Sequence, residues 1–154
     1  MLRTASDTRV PAAAWVAGAL AVLPLLAALV VLWSPGQLGL GELPRQAGPI
    51  YAALLVSLFG GIRWGAALGP VAPAYAGREF ILSVLPAYVS WIALALRPEL
   101  ALCLLLSTLL LQALWDVLAV EEGRLPYWYG KLRMLLTAAA AIAILAMLGE
   151  RLFR

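Results

Sequence analysis

Two opposite charges inside apolar segments are the residues of this sequence best suited to chemistry. Arg63 lies in the stretch FGGIRWG, and Asp116 lies in the run LLLQALWDVLAV. A charge at the centre of a membrane span costs about 2.5–3.5 kcal/mol on insertion scales, so such charges usually face the protein interior and pair. We therefore predict an intramembrane ion pair between Arg63 and Asp116. Gln112, one helical turn from Asp116, is its predicted third member.

The predicted pair has more than one interpretation. It could be a packing contact between helices, or it could line a site for a ligand, a proton or a lipid. Alternatively, Arg63 could extend its guanidinium to the inner lipid head groups, which would leave Asp116 without a partner. The sequence leaves these alternatives open.

The residues that most enzyme mechanisms need are missing from the sequence. The chain has no histidine, which excludes HExxH zinc sites and Ser–His pairs, and a haem would lack its usual ligand. Its one cysteine, Cys103, excludes an internal disulfide, and Asp116 is the only acid in the interior of a predicted span. No glycine-rich phosphate loop is present. We therefore expect a protein that is not an enzyme and that carries no cofactor and no metal.

The composition predicts the elements that must position these charges. Of the 154 residues, 64% are hydrophobic and 12% are charged, a balance typical of integral membrane proteins. Helices of about 20 residues cross a bilayer, and five segments come near that length. We predict an all-α, single-domain bundle over residues 1–154, with five transmembrane helices at about 11–33, 48–68, 80–96, 99–119 and 132–149. The basic residues lie at segment ends rather than on one face, so nucleic-acid binding is not expected.

The distribution of Lys and Arg near the segment ends predicts the orientation. Seven basic residues fall on one side and four on the other; the first set is Arg3, Arg9, Arg63, Arg78, Arg124, Lys131 and Arg133, the second Arg45, Arg97, Arg151 and Arg154. This predicts a cytoplasmic N-terminus and a periplasmic C-terminus. Because one lysine among eleven basic residues, in a chain rich in alanine and leucine, is typical of a GC-rich bacterial genome, we predict a bacterial inner-membrane protein. Arg63 would then lie about 21 Å beyond Pro49, and Asp116 about 27 Å beyond Pro98, at similar depths.

Glycines recur around Arg63. Gly61, Gly65 and Gly69 are spaced four residues apart, a pattern that allows a neighbouring helix backbone to approach closely. Gly60 precedes Arg63 and would leave room for the partners of the guanidinium. We predict helix packing at these four glycines.

The stretch LPYWYGKLRMLLT joins the fourth segment to the fifth. Its aromatic residues Tyr127, Trp128 and Tyr129 are typical of head-group depth, and Lys131 and Arg133 suit anionic lipid phosphates. We interpret this stretch as an interfacial anchor. Alternatively, it could form a polar pocket with Arg63 and Asp116 that binds a quinone or a lipid head group.

Two of these motifs together resemble a known family. GGIRWG, followed later by LPYWYGKLRMLLT, is similar to elements of the transmembrane protein 69-like family of bacterial and mitochondrial membrane proteins, a domain of unknown function. The matching positions outside the first element are Asp116, Pro126, Trp128, Tyr129, Leu132, Arg133, Leu136 and Thr137. The likeness covers about residues 12 to 150. It implies a small polytopic inner-membrane protein and no established reaction.

The chain departs from that family at one position. The family often has histidine where this chain has Arg63. A guanidinium does not deprotonate in proteins, so the difference argues against a mechanism that needs a titrating group at position 63.

These observations predict a non-catalytic accessory or assembly subunit that packs against other membrane protein subunits in the lipid bilayer. One alternative is a small transporter or proton or ion conductor that uses Arg63 and Asp116. Another is a protein that binds a quinone or an anionic lipid.

Overall fold

The computed structural model describes residues 9–34, 43–69 and 73–153, and within these ranges the chain folds into five α-helices. In chain order they are α1 (Ala12–Trp33), α2 (Leu43–Ala67), α3 (Pro73–Leu94), α4 (Pro98–Glu121) and α5 (Tyr127–Phe153). The predicted all-α class is confirmed.

Four of these helices are long and apolar enough to cross a membrane: α1, α2 from Arg45 onward, α4 and α5. The 22-residue helix α3 is not among them. Its N-terminal half carries Gly77 and the charged pair Arg78 and Glu79, which lower its mean hydropathy. The structure therefore supports four of the five predicted spans as candidates. The span predicted at about 80–96, which corresponds to α3, stays a prediction.

Three helices begin earlier than the sequence predicted. Helix α2 begins at Leu43 rather than near residue 48, so Pro49 lies inside it. Helix α3 begins at Pro73 rather than near residue 80, and α5 at Tyr127 rather than near residue 132. The extensions of α3 and α5 place Glu79 and Tyr129 on helices, and the side chains of both residues are buried in the bundle.

Local chemistry accounts for the boundary between α4 and α5. Helix α4 ends as Gly123 adopts a φ of 73°, a left-handed conformation that favours glycine. The amides of Arg124 and Leu125 then donate to the Ala119 carbonyl at 2.8 and 3.2 Å, closing the helix end. This tight reversal turns α5 back along α4.

The packing order brings α2, α3, α4 and α5 together around one end of the bundle. Helices α2 and α3 make the most extensive contact, α4 packs on α5, and α1 packs on α2 and α5. Fully buried apolar side chains from all five helices fill the centre, among them Leu25, Val56, Ala93, Leu105 and Ile144. Large apolar side chains also cover the outer surface, where they would meet lipid.

The close approach of α2 to α3 depends on Gly60. A Cβ atom at this position would lie 2.7 Å from the Ser83 carbonyl oxygen and 3.0 Å from the Pro86 ring. By contrast, a Cβ at Gly61 or Gly65 would meet no described atom within 4 Å. The predicted four-residue glycine strip therefore does not pack within the described chain at those two positions. The helix face that contacts α3 is the neighbouring one, which contains Gly60.

Gly69 also makes no helix–helix contact. A Cβ there would meet only the Ala66 carbonyl of its own segment, at 3.3 Å. The residue lies just beyond the end of α2, where the chain has left the helix. Its contribution is to the turn rather than to packing between helices.

Candidate functional site: a buried charge cluster

Asp116 forms the centre of a group of buried charges. Its carboxylate, on α4, is almost fully buried. Oδ2 lies 2.9 Å from Nε of Arg133 and accepts a 3.0 Å hydrogen bond from the Tyr129 hydroxyl, both on α5. Oδ1 lies 3.5 Å from Nη1 of Arg63 on α2. The structure thus places Arg63 beside Asp116, but with Arg133 as the nearer cation.

The nearer partner of Arg63 is an acid on α3. Nη2 of Arg63 lies 2.5 Å from Oε2 of Glu79, and both side chains are buried. The other carboxylate oxygen of Glu79 lies 2.5 Å from Nη1 of Arg124, which follows α4. Arg124 also pairs with the exposed Glu122 at 2.7 Å. One continuous chain of ion pairs therefore joins α2, α3, α4 and α5. We call its buried part the charge cluster, consisting of Arg63, Glu79, Asp116, Arg124 and Arg133.

Arg133 is enclosed on several sides. Its side chain is 1% exposed, and its Cζ lies 3.8 Å from the centroid of the Phe59 ring. Nη2 donates to Oε1 of Gln112 at 3.2 Å, while Nε2 of Gln112 donates to the Val56 carbonyl at 3.0 Å. Gln112 therefore joins the cluster through Arg133 rather than through Asp116. It ties the cluster to the backbone of α2.

Several buried polar atoms of the cluster have no hydrogen bond among the described residues. These atoms are Nη2 of Arg63, Oε2 of Glu79, and Nε and Nη1 of Arg133. Two of the ion pairs are close in distance without favourable hydrogen-bond angles. Because a buried ion pair gains little net free energy when its lone pairs and protons are incompletely satisfied, the cluster is a costly arrangement. Its members nevertheless neutralise one another.

The predicted interfacial residues divide into two groups. Tyr129 and Arg133 are buried and face α4, because they lie one turn apart on the same side of α5. Their predicted contact with lipid is therefore corrected to a contact inside the bundle. Tyr127 and Lys131 are exposed, with the Lys131 Nζ 5.4 Å from the Tyr127 ring centroid. Trp128 is half-buried and packs edge-on against Tyr129.

A cavity of about 220 Å³ lies beside the cluster, between α2, α3 and α4. Its polar end holds Arg63, Asp116, Gln112 and Trp115. The rest of its wall is apolar, and includes Leu82, Leu85, Pro86, Val89 and Leu111. Leu85 and Leu111 are 49% and 67% exposed, so the cavity opens on the outer face of the bundle between α3 and α4.

The Trp115 ring lies near two arginines at the polar end of this cavity. The Cζ atom of Arg63 is 5.7 Å from the ring centroid, and that of Arg78 is 4.9 Å from it. Both are within cation–π range. The Trp115 Nε1 atom is buried and has no hydrogen-bond partner among the described residues. The described chain therefore leaves this indole donor without an acceptor.

Arg63 also borders a second, water-sized pocket of about 20 Å³. It is lined by Glu79 and Arg124 and by residues where α2, α3 and the α4–α5 turn meet. The guanidinium thus lies between a mainly apolar cavity on one side and a small polar pocket on the other.

Sequence reasoning missed several members of the site. Glu79 was placed between two predicted spans, because the glycines and prolines before it favour turns, although a helix already runs through it. Arg124 was counted only as a basic residue of a membrane surface, and Arg133 was placed near Asp116 only in the alternative of a polar pocket that binds a quinone or a lipid head group. The four-residue spacing of Tyr129 and Arg133 was the available signal that they share a helix face. At the other end of the bundle, Arg45 pairs with the buried Glu150 at 2.9 Å, a contact that was not predicted.

No three His, Cys, Asp or Glu side chains lie close enough to hold a metal ion within the ranges that the structure describes. The charge cluster contains two acids separated by arginines. Its donors suit anions rather than cations.

The fold and the site define an all-helical protein with four helices able to span a membrane and a charge cluster where the helices meet. Residues 10–149 match the model of a family described as a protein of unknown function, DUF3429, and the chain belongs to that family. No curated protein matches it significantly, and neither does any solved structure.

Proposed function

We propose that this protein is a non-catalytic accessory or assembly subunit of an inner-membrane complex. One observation carries the proposal: Gly61 and Gly65, one turn apart on α2, present a strip that no described residue covers. Small residues at this spacing allow close contact between membrane helices. Since the cluster charges are engaged with one another, the strip is a feature of this helix that remains open to a partner.

The location in the membrane is part of the same proposal. Basic residues favour the side of the chain that holds the α4–α5 turn, which supports a cytoplasmic N-terminus and a periplasmic C-terminus. The likeness to transmembrane protein 69-like proteins, which are bacterial and mitochondrial, supports an inner-membrane location. Under this topology α3 also crosses the membrane, in addition to the four candidate spans, and Arg78 and Glu79 lie near the inner leaflet.

The strip can be tested by filling it. We expect the variant Gly61→Leu/Gly65→Leu to fold normally, because its added side chains meet open space, and to lose its partner helix. The measurement is the recovery of stoichiometric partners from native membranes in mild detergent. Wild-type protein should retain a partner that the variant loses.

The matched control is Gly77→Leu, which adds the same side chain at an open glycine of α3. It should retain the partner. A wild-type protein that purifies alone, or only with itself, would overturn the proposal. So would loss of the partner from the Gly77 variant to the same extent.

A second candidate is a small transporter or proton or ion conductor. The observation in its favour is the position of Arg63 between the 220 Å³ cavity and the 20 Å³ polar pocket. Together these could form a path past the guanidinium. Liposomes that contain wild-type protein should then show ion or proton flux above protein-free liposomes, and Asp116→Asn should lower it. Background flux with the wild type would exclude this candidate.

A further inference from the structure

We propose that the cavity between α2, α3 and α4 binds one anionic phospholipid, with an acyl chain in the apolar part and the phosphate at Trp115. This site is separate from the glycine strip and does not depend on the subunit proposal. It also differs from the predicted pocket at the aromatic turn, since Tyr129 and Arg133 are buried in the charge cluster.

The apolar wall of the cavity is suited to the acyl chain of the lipid. Apolar cavities of about 150 Å³ remain dry and take up small apolar molecules. This cavity measures about 220 Å³, and most of its wall is aliphatic, including Leu82, Pro86 and Val89. Because its opening lies between Leu85 and Leu111, an acyl chain can enter laterally from the bilayer without crossing water.

The polar end of the cavity is suited to the phosphate of the lipid. The buried Trp115 Nε1 is a donor without a described acceptor, and in an apolar environment such an unpaired donor costs free energy. A phosphate oxygen is a strong acceptor that would satisfy it. Arg63 and Arg78 both lie within cation–π range of the same indole ring and supply positive charge next to it.

The charge balance around this end favours an anion over a neutral ligand. The cations are Arg63, Arg78, Arg124 and Arg133, and the acids are Glu79, Asp116 and Glu122, so four positive charges meet three negative ones. The excess charge is that of Arg78, which has no acidic partner among the described residues. A neutral quinone would leave it unbalanced, whereas a phosphodiester would neutralise it.

Arg78 also lies at a suitable place for a head group. It is exposed near the start of α3, while Trp115 and the apolar wall continue from it toward the middle of the helix. A phosphate between Arg78 and the Trp115 ring would thus lie at the polar end of the cavity, and its chain would run along the apolar wall toward the opening between Leu85 and Leu111. Basic residues near a leaflet surface contribute about 1 kcal/mol each to binding of anionic lipid.

The test is a lipid titration of the delipidated protein in detergent, followed by native mass spectrometry. The probes are phosphatidylglycerol and phosphatidylcholine of the same chain length. We expect one phosphatidylglycerol to bind at least about fivefold more tightly than phosphatidylcholine. Arg78→Gln should weaken phosphatidylglycerol by about fivefold. Trp115→Phe, which keeps an aromatic ring and removes the N–H, should weaken it by about tenfold.

Two further variants separate the chain from the head group. Val89→Phe narrows the apolar part and should weaken both lipids, whereas Arg97→Gln, an exposed arginine at the opposite end of α3, should change neither. Inorganic phosphate should fail to displace the lipid, since it has no acyl chain.

Three results would overturn the proposal: equal affinity for the two lipids, an effect of Arg97→Gln as large as that of Arg78→Gln, or tight binding of a neutral quinone instead. Displacement by inorganic phosphate would show a simple anion site and would also overturn it. If Trp115→Phe disturbs folding, Arg78→Gln decides alone, because its side chain is exposed.

Discussion

Replacing Asp116 with leucine is expected to lower the free energy of unfolding by about 3 kcal/mol. The substitution removes the carboxylate that lies 2.9 Å from Arg133 and 3.5 Å from Arg63. Arg63 keeps Glu79, but Arg133 keeps no acid, and its 1% exposure prevents water from replacing the lost partner. The Tyr129 hydroxyl also loses its acceptor. Unfolding in mixed detergent micelles, followed by circular dichroism, measures the change.

The matched control is Glu121→Leu, which makes a similar change on the same helix at an exposed position. It should shift stability by less than about 0.5 kcal/mol. Losses of equal size in the two variants would show that burial and pairing of Asp116 do not matter.

A double variant tests whether the loss comes from a stranded charge. Asp116→Leu combined with Arg133→Met replaces the pair with apolar groups of similar volume, an exchange that is often neutral for buried ion pairs. The double variant should therefore be more stable than either single variant. If the two single losses simply add, Asp116 and Arg133 are not energetically coupled and the charge cluster is not a unit.

The sequence predicted the helices well because membrane-spanning helices are recognised by their length and their apolar composition. It also identified Asp116, since an acid within an apolar run has no inexpensive location except the bundle interior. The neighbour of Asp116 on α5, Arg133, could not be identified from the sequence in the same way. Arg133 lies close to Lys131 and three aromatic residues, a composition that fits a lipid surface equally well.

Helix boundaries account for most of what the sequence did not reveal. Glu79 and Tyr129 lie in stretches rich in glycine, proline and charge, which favour turns, yet both belong to helices. Once α3 and α5 begin earlier, these side chains face the bundle at the depth of Arg63. The predicted helix boundaries therefore determined which partner was assigned to each charged residue. The direction of each helix face depends on tertiary packing, which spacing alone does not determine.

The glycines of α2 show the same limit and lead to a second large effect. Gly60→Ala is expected to destabilise the protein by about 1–3 kcal/mol, because its Cβ would lie 2.7 Å from the Ser83 carbonyl oxygen. A backbone carbonyl cannot rotate away as a side chain does. Helices α2 and α3, which make the most extensive helix–helix contact of the described chain, must therefore separate at Gly60. Unfolding in mixed micelles again provides the measurement.

Gly61→Ala is the matched control, because it adds the same methyl group one residue along the same helix, in open space. Alanine favours a helix over glycine by about 1 kcal/mol, and this gain applies to both variants. The difference between them therefore isolates the cost of pushing α3 away from α2. Because Gly60 also lines the cavity beside Pro86, the first variant should alter lipid binding there, whereas the second should not. Equal stabilities would mean that α2 and α3 do not approach each other through Gly60, and the cavity between them would then lack the wall that gives it its shape.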